Sequence, residues 1–396
     1  MTLGTLSTGL RDTPHSGIRD ISTLAADKPG AIRLEVGQPD FRTPAHIVDA
    51  AKRALDDGWH GYTPTAGLAT LRERLAGKLR RVNGIDVPGS QVVCGVGGCG
   101  VIAAAVAALV NTGDEVLLPD PAWPNYRLMF AAVHARIVRY PCPPDLGFLP
   151  DADRLEALVT PRTRILVVNS PNNPSGRVYP PDVLRRLGEI AGRHGLWVVS
   201  DECYDQIVLD GGGAAAPGMR AYADPDRVVS CFTFSKSYAM TGWRLGYAAA
   251  APEVVDSMIK AIEGTASGTT TMVQKAAEAA LDGPQDCIGE MVGAYRRRRD
   301  LVVDLLREAG LLTVVPDGAF YILADVSATG LDSLAFAKRL LAERQVAVAP
   351  GSAFGAVADG AVRISLASAD DDLREGVGRL CELVAELTPP RPEPHS

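Results

Sequence analysis

The chain has 396 residues, 46% of them hydrophobic and 22% charged, with a formal net charge of −7. This is the composition of an ordinary globular protein, long enough for two domains or for one large domain with a smaller lobe. The acidic balance excludes a broad nucleic-acid or anionic-membrane surface.

The seven cysteines show no Cys-x-x-Cys spacing. That pattern points to reduced thiols in a cytoplasmic protein and to no metal site. Residues 1–15 are polar, without the apolar core of a signal peptide. The longest apolar stretch, 101–110, is too short to span a bilayer. Arg296–Arg299 reads as a solvated basic face, and the proline-rich tail 388–396 as disordered.

In chain order, the first chemical signal follows a strand-like run, Gln91–Cys94. Gly95-Val-Gly97-Gly98-Cys99-Gly100 then leads into the apolar helix 101–110. Glycines let a backbone approach an anion, and a helix start offers free amides at the positive end of its dipole. Taken literally the string is also the Gly-x-Gly-x-x-Gly of a dinucleotide fold, with Asp120 placed as its acidic partner. A plain strand–turn–helix is the third reading, and the motif alone does not separate them.

Strands are predicted at 115–118, 136–140, 165–169, 197–200 and 228–232, with helices at 123–132, 151–158 and 182–194 between them. Near-continuous apolar strands separated by helices indicate an α/β fold with a mainly parallel sheet covered on both faces. Trp123 follows the first of these strands, where a ring can stack on a flat heteroaromatic group. Asn169-Ser-Pro-Asn-Asn173-Pro-Ser-Gly176 is a tight loop whose prolines aim the side chain of Asn173. Asp201, at the end of the next strand, needs a cationic partner if it is buried; as a bare pattern, Ser-Asp before a helix is also a cap. Tyr204 lies three positions on.

Thr233-Phe-Ser235-Lys236-Ser-Tyr-Ala-Met-Thr-Gly-Trp-Arg244 carries the most chemistry. A lysine in a small, apolar loop loses its proton more easily than a solvated one, and a neutral amine attacks aldehydes. The hydroxyls of Thr233 and Ser235 with the guanidinium of Arg244 suit a phosphate dianion. An aldehyde-binding lysine beside a phosphate pocket matches pyridoxal 5'-phosphate (PLP). The last third is predicted as a smaller α/β lobe, with a long helix at 285–309, strands at 320–323, 346–348 and 362–366, and a helix at 370–387. Arg363, amid apolar strand residues, demands an anion, and an α-carboxylate is the natural one.

From Gly37 to Arg363, the order of these motifs resembles the class I/II aminotransferases, an aspartate-aminotransferase-like family of fold type I. The resemblance implies a large domain at 41–285 with a mainly parallel, mixed sheet flanked by helices. It also implies a small C-terminal domain at 286–396, joined by an arm at 1–40. Lys236 becomes the Schiff-base lysine and proton carrier, Asp201 the partner of the pyridine nitrogen, and Asn173 and Tyr204 the partners of the phenolic oxygen. Trp123 covers the ring. Gly98 and Cys99, through backbone amides, and Thr233, Ser235 and Arg244 hold the phosphate. Arg363 grips the substrate α-carboxylate beside Gly37 and Asn173. Tyr62 reaches the phosphate of a second subunit, which makes the protein a homodimer with its site at the interface.

The implied reaction moves an amino group between an L-amino acid and a 2-oxo acid by a ping-pong route. Elimination, cyclisation or oxidation of an amino acid is the alternative that the same constellation supports. A nicotinamide dehydrogenase built on Gly95–Gly100 leaves Lys236, Asp201 and Arg363 unexplained. A PLP-sensing regulator lacks room for a DNA-binding segment. The donor is open: Cys99 stands where one subgroup of the family has a lysine for a distal carboxylate, and Arg19, Arg33 and Arg42 are equal candidates to replace it.

Overall fold

The computed structural model describes residues 8–388, so the expected tail lies outside the described residues apart from Thr388. Strand β1 (Ile32–Arg33) precedes seven strands of one sheet: β2 (Val92–Val96), β3 (Glu115–Asp120), β4 (Arg136–Pro141), β5 (Thr163–Asn169), β6 (Trp197–Asp201), β7 (Val228–Thr233) and β8 (Leu245–Ala249). Their spatial order is β2-β8-β7-β6-β5-β3-β4. β4, β3, β5, β6 and β7 run parallel, and β8 is antiparallel to both of its neighbours.

Side-chain alternation explains why these strands are apolar almost throughout. Val167, Val199 and Val229 face one side, under the helices Gly97–Leu109 and Pro252–Ala266. Leu166, Val168, Val198 and Val228 face the other, under Pro181–His194. That second helix opens with Pro180-Pro181, buries Leu184, Leu187, Ile190 and Ala191, and stops at Gly195 in the left-handed conformation. Each such leucine or isoleucine contributes about 1.5–3 kcal/mol by leaving water.

Strand β8 was not predicted from the sequence. Its Leu-Gly-Tyr-Ala-Ala is poor in β-branched residues, and its place is set by contact rather than propensity. A Cβ on Gly246 would stand only 2.5 Å from the Gly97 carbonyl carbon, so β8 can lie against the start of the helix Gly97–Leu109 only with glycine there. That helix begins earlier than expected: Gly97–Gly100, read as a loop, form its first turn.

A second group of strands follows: β9 (Tyr321–Asp325), β10 (Val346–Ala347), β11 (Ala349–Pro350) and β12 (Ala361–Ser365). β12 lies between β11 and β9, antiparallel to both. β10 pairs in parallel with β1, joining Ile32 to Val346. The helix Asp286–Glu308 carries the basic run, and the expected solvated face holds for Arg296 and Arg297, which are exposed, but not for the other two. Arg298 and Arg299 are 7% and 6% exposed. Arg298 bonds Asp40 and Asp370, and Arg299 bonds Asp210 and Asp300, so the run ties distant segments together. No described helix is long and apolar enough to cross a membrane.

Candidate active site

The carboxyl ends of β5, β6 and β7 and the start of β8 open onto a cavity of about 580 Å³. Ligands of open α/β sheets bind at this edge, where loops diverge above the strand ends. The cavity is lined by Gly98, Cys99, Trp123, Asn173, Asp201, Tyr204, Thr233, Ser235, Lys236, Arg244, Gly37 and Arg363. Every expected site residue but one is therefore gathered from seven separate segments. The exception is Tyr62, which is 98% exposed and outside this chain's own cavity.

Asp201 ends β6 and is 4% exposed. Its Oδ1 accepts from the Cys203 amide at 3.1 Å, and its Oδ2 accepts from the hydroxyl of Tyr126. Both donors are neutral, and Asp201 belongs to no salt bridge among the described residues. Burial pushes its carboxyl above the usual carboxylate range, against the pull of those hydrogen bonds. A charge so placed calls for a cation from outside the chain.

Thr233 caps the short turn that carries Lys236: its Oγ1 accepts from the Ser235 amide at 3.2 Å and donates to the Leu245 carbonyl at 3.1 Å. Lys236 Nζ donates to the Gly37 carbonyl at 2.7 Å, so the expected substrate-side loop and the lysine meet. Arg244, at φ 56°, is exposed at the rim beside Gly97. Gly98 has no room for a side chain, because a Cβ would lie 2.9 Å from Cys203 Sγ. First-turn amides have no intrahelical acceptor, so Gly98 and Cys99 offer their N–H groups beside the hydroxyls of Thr233 and Ser235. That is an anion cradle at the start of a thirteen-residue helix.

Across the cavity, Arg363 is 3% exposed, and burial lowers its pKa. Its Nη1 donates to Asn173 Oδ1 at 3.0 Å and its Nη2 to the Glu35 carbonyl at 2.6 Å, while Nε has no partner. The guanidinium stacks over Tyr321, 4.3 Å from the ring centre. Tyr204 shares a 2.9 Å hydrogen bond with the Tyr321 hydroxyl, and burial raises its pKa.

Sequence reasoning missed Tyr126, Tyr321 and Glu35. Tyr126 sits three positions after Trp123, one helical turn on, and meets its ring edge-to-face at 5.3 Å. Tyr321 is diagonal to Arg363 across the β9–β12 pair, since Arg363 faces Leu323. The register of a distant strand pair was the missing information. Of the three arginines proposed for a distal carboxylate, only Arg19 lines the cavity; Arg33 is paired with Glu35, and Arg42 is exposed elsewhere. Asp120, needed by the dinucleotide reading, accepts from the amides of Ala356 and Val357 at 3.2 Å each and is not free for a ribose.

This mixed sheet, with a lysine, a buried carboxylate and a buried arginine around one cavity, is the architecture of an amino-group transferase. The chain belongs to the family described as aminotransferase class I and II, whose model matches residues 29–380. It is 40% identical over 356 residues to the aspartate/prephenate aminotransferase of Thermus thermophilus, covering 89% of this chain and 91% of that one. It is 39% identical over 388 residues to aromatic-amino-acid aminotransferase 2 of Thermococcus litoralis, covering 96% and 98%. Among solved structures, the aspartate aminotransferase from Thermus thermophilus with maleate superimposes with a TM-score of 0.91 at 37% identity, covering 96% of this chain and all of that one. The protein is an enzyme of this family, and its reaction is transamination between amino and 2-oxo acids; elimination, cyclisation and oxidation are not favoured. The family works with PLP, and the residues present fit that group. The anion cradle suits its phosphate, and Asp201, buried without a counter-ion, suits a protonated ring nitrogen.

Proposed function

We propose that the chain transfers the amino group through PLP held at Lys236, with each cavity residue in the role its position allows. The observation that carries this reading is Asp201: a buried carboxylate with two neutral donors, no cation, and Lys236 in the same cavity. When bound, PLP supplies an electron sink that makes the substrate Cα–H acidic.

The chain's own residues do the rest. Gly98 and Cys99 amides, Thr233, Ser235 and Arg244 bind the phosphate. Asp201 keeps a proton on the ring nitrogen by charge, and Trp123 fixes the ring plane. Asn173 and Tyr204 orient the phenolic oxygen. Lys236 Nζ would hold the aldehyde of the cofactor, and as a free amine it would serve as the base and acid that moves the substrate's Cα proton. Arg363 receives the α-carboxylate, and its unpartnered Nε is the donor left for it. The Gly37 carbonyl, which holds Lys236 Nζ in this structure, lies beside that position.

The expected division into an arm at 1–40, a large domain at 41–285 and a small domain at 286–396 belongs to the same proposal. The β1–β10 pair supports it by tying the arm to the C-terminal segment. A homodimer is proposed as well, with Tyr62 reaching the partner's phosphate. Its support is the exposure of three large side chains close together in the sequence, Leu55 (49% exposed), Trp59 (40% exposed) and Tyr62. A reducing, cytoplasmic setting accords with seven free cysteines.

The test is a spectroscopic screen of the purified, PLP-loaded protein against a panel of amino donors. Conversion of the cofactor to pyridoxamine phosphate with release of a 2-oxo acid is expected. Replacing Lys236 with Ala removes the visible band and slows the half-reaction by about 10⁴-fold. A variant that keeps both the band and the rate defeats the assignment.

A further inference from the structure

One wall of the cavity has no part in the chemistry above. It comes from the helix Gly17–Ala26 and the segment after β1, and it presents Ser22 and Glu35 below the exposed Arg19. Glu35 is fully buried. Its Oε1 accepts from Arg33 Nε at 2.7 Å and from Ser22 Oγ at 3.2 Å, and Arg33 pairs with it as a cation. Its Oε2 has no hydrogen-bond partner among the described residues.

A buried carboxylate oxygen without a donor is a costly exception in a folded protein and needs an explanation. Arg33 already balances the charge, so what Oε2 lacks is a hydrogen bond rather than a counter-ion. A cationic ligand would also meet Arg33 and, at the rim, Arg19. The position of Glu35 says where the donor comes from. Its own backbone carbonyl holds Arg363 Nη2 at 2.6 Å. Glu35 and Arg363 line one cavity, so a substrate whose α-carboxylate rests on Arg363 has its side chain in the same enclosed space as this wall.

We propose that Glu35 is a specificity-determining residue whose Oε2 accepts a hydrogen bond from an uncharged donor, a hydroxyl or an amide N–H, on the side chain of the amino substrate. This rests on the transamination reading and deepens it. Ser22 and Arg33 are positioning residues, because they fix the carboxylate plane through Oε1 and leave Oε2 without a donor. An enclosed site that offers an acceptor discriminates strongly against an isostere that cannot donate.

The experiment compares isosteric pairs on the PLP-loaded enzyme: homoserine against norvaline, and glutamine against 2-amino-5-methylhexanoate. The expected result is a kcat/KM about ten- to a hundredfold higher for the donor-bearing member of each pair, the range for a hydrogen bond to a charged acceptor. Glu35→Gln, which puts an N–H where Oε2 stands, is expected to lower that ratio at least about tenfold. A second readout needs no turnover: quenching of tryptophan fluorescence by the unreactive acids 4-hydroxybutanoate and pentanoate, with the hydroxy acid bound more tightly by the wild type. If no amino donor is converted, the transamination reading fails. If both members of each pair react and bind equally, transamination stands and the role of Glu35 is overturned; a water filling the gap at Oε2 gives that outcome. Should the variant not fold, the wild-type ratios alone decide.

Discussion

Asp201 ends β6 and Glu202 follows it directly, yet the two adjacent carboxyl groups meet different surroundings. Asp201 faces the cavity, accepts from Tyr126 and the Cys203 amide, and has Lys236 in its neighbourhood. Glu202 is 2% exposed and lies near the buried Lys78–Asp205 pair, yet Lys78 serves Asp205 and Asn83, and Glu202 Oε1 has no partner. Burial pushes the Glu202 carboxyl up to about 7. The difference teaches that burial alone does not make a site. Burial raises both carboxyls, but Asp201 faces a cavity where an arriving cation can restore its charged form, whereas Glu202 does not line that cavity and has no such route.

The largest expected break in this comparison is catalytic. Asp201→Asn keeps the shape and removes the charge, and should slow the amino-donor half-reaction by about 10²–10³-fold. Glu202→Gln should leave that rate within about twofold, since Glu202 does not line the cavity. Equal losses in stopped-flow measurements would erase the distinction.

Stability gives the next effect, with a definite sign. The folded pKa of Glu202, about 7, lies above its ordinary 4.5. Below 4.5 both folded and unfolded chains are protonated there, and the shift contributes nothing. Between 4.5 and 7 the unfolded chain ionises first, so stability falls with rising pH and then levels off at a loss of about 3 kcal/mol. Glu202→Gln should remove this dependence. Denaturant unfolding at pH 4.5 and pH 8 should therefore show the variant gaining on the wild type at the higher pH.

Tyr126→Phe is a smaller perturbation. Asp201 loses the donor on Oδ2, which favours its ionised form, so its pKa rises and the acid limb of the pH–rate profile moves to higher pH. Turnover near neutrality should fall about tenfold, in keeping with one hydrogen bond to a charged group. An unshifted limb would show that Tyr126 only fills space. Tyr126→Phe should also weaken PLP binding by the apoprotein, a readout independent of turnover.

The parts of this molecule that were legible in the sequence are those in which a motif and its element are contiguous. The apolar runs of β5, β6 and β7 and the loops after them announced Asn173, Asp201 and Lys236, because strand ends followed by small, polar or proline-rich strings mark a ligand-binding edge. What escaped depends on contacts between distant segments. Tyr126 and Asp201 are 75 residues apart, and Tyr204 and Tyr321 are 117. Neither spacing carries a local signal. β8 was hidden because its glycine and alanines fit a crowded neighbour rather than a strand propensity. Arg298 was misread because its partners, Asp40 and Asp370, are remote in the chain. The glycine run was assigned to a loop because glycine is a poor helix former, a preference outweighed where a helix must start against another backbone.

The pairing of β1 with β10 also bears on how the protein is made. Ile32 meets Val346, and the Glu35 carbonyl meets an arginine 328 positions later. The ribosome therefore delivers the lysine turn and the anion cradle long before the carboxylate grip is assembled. A chain released early, before β10, would retain the sheet's own contacts and the Lys236–Gly37 and Arg298–Asp40 bonds, yet lack the strand pair and the Arg363 contact that complete the hold on its first forty residues.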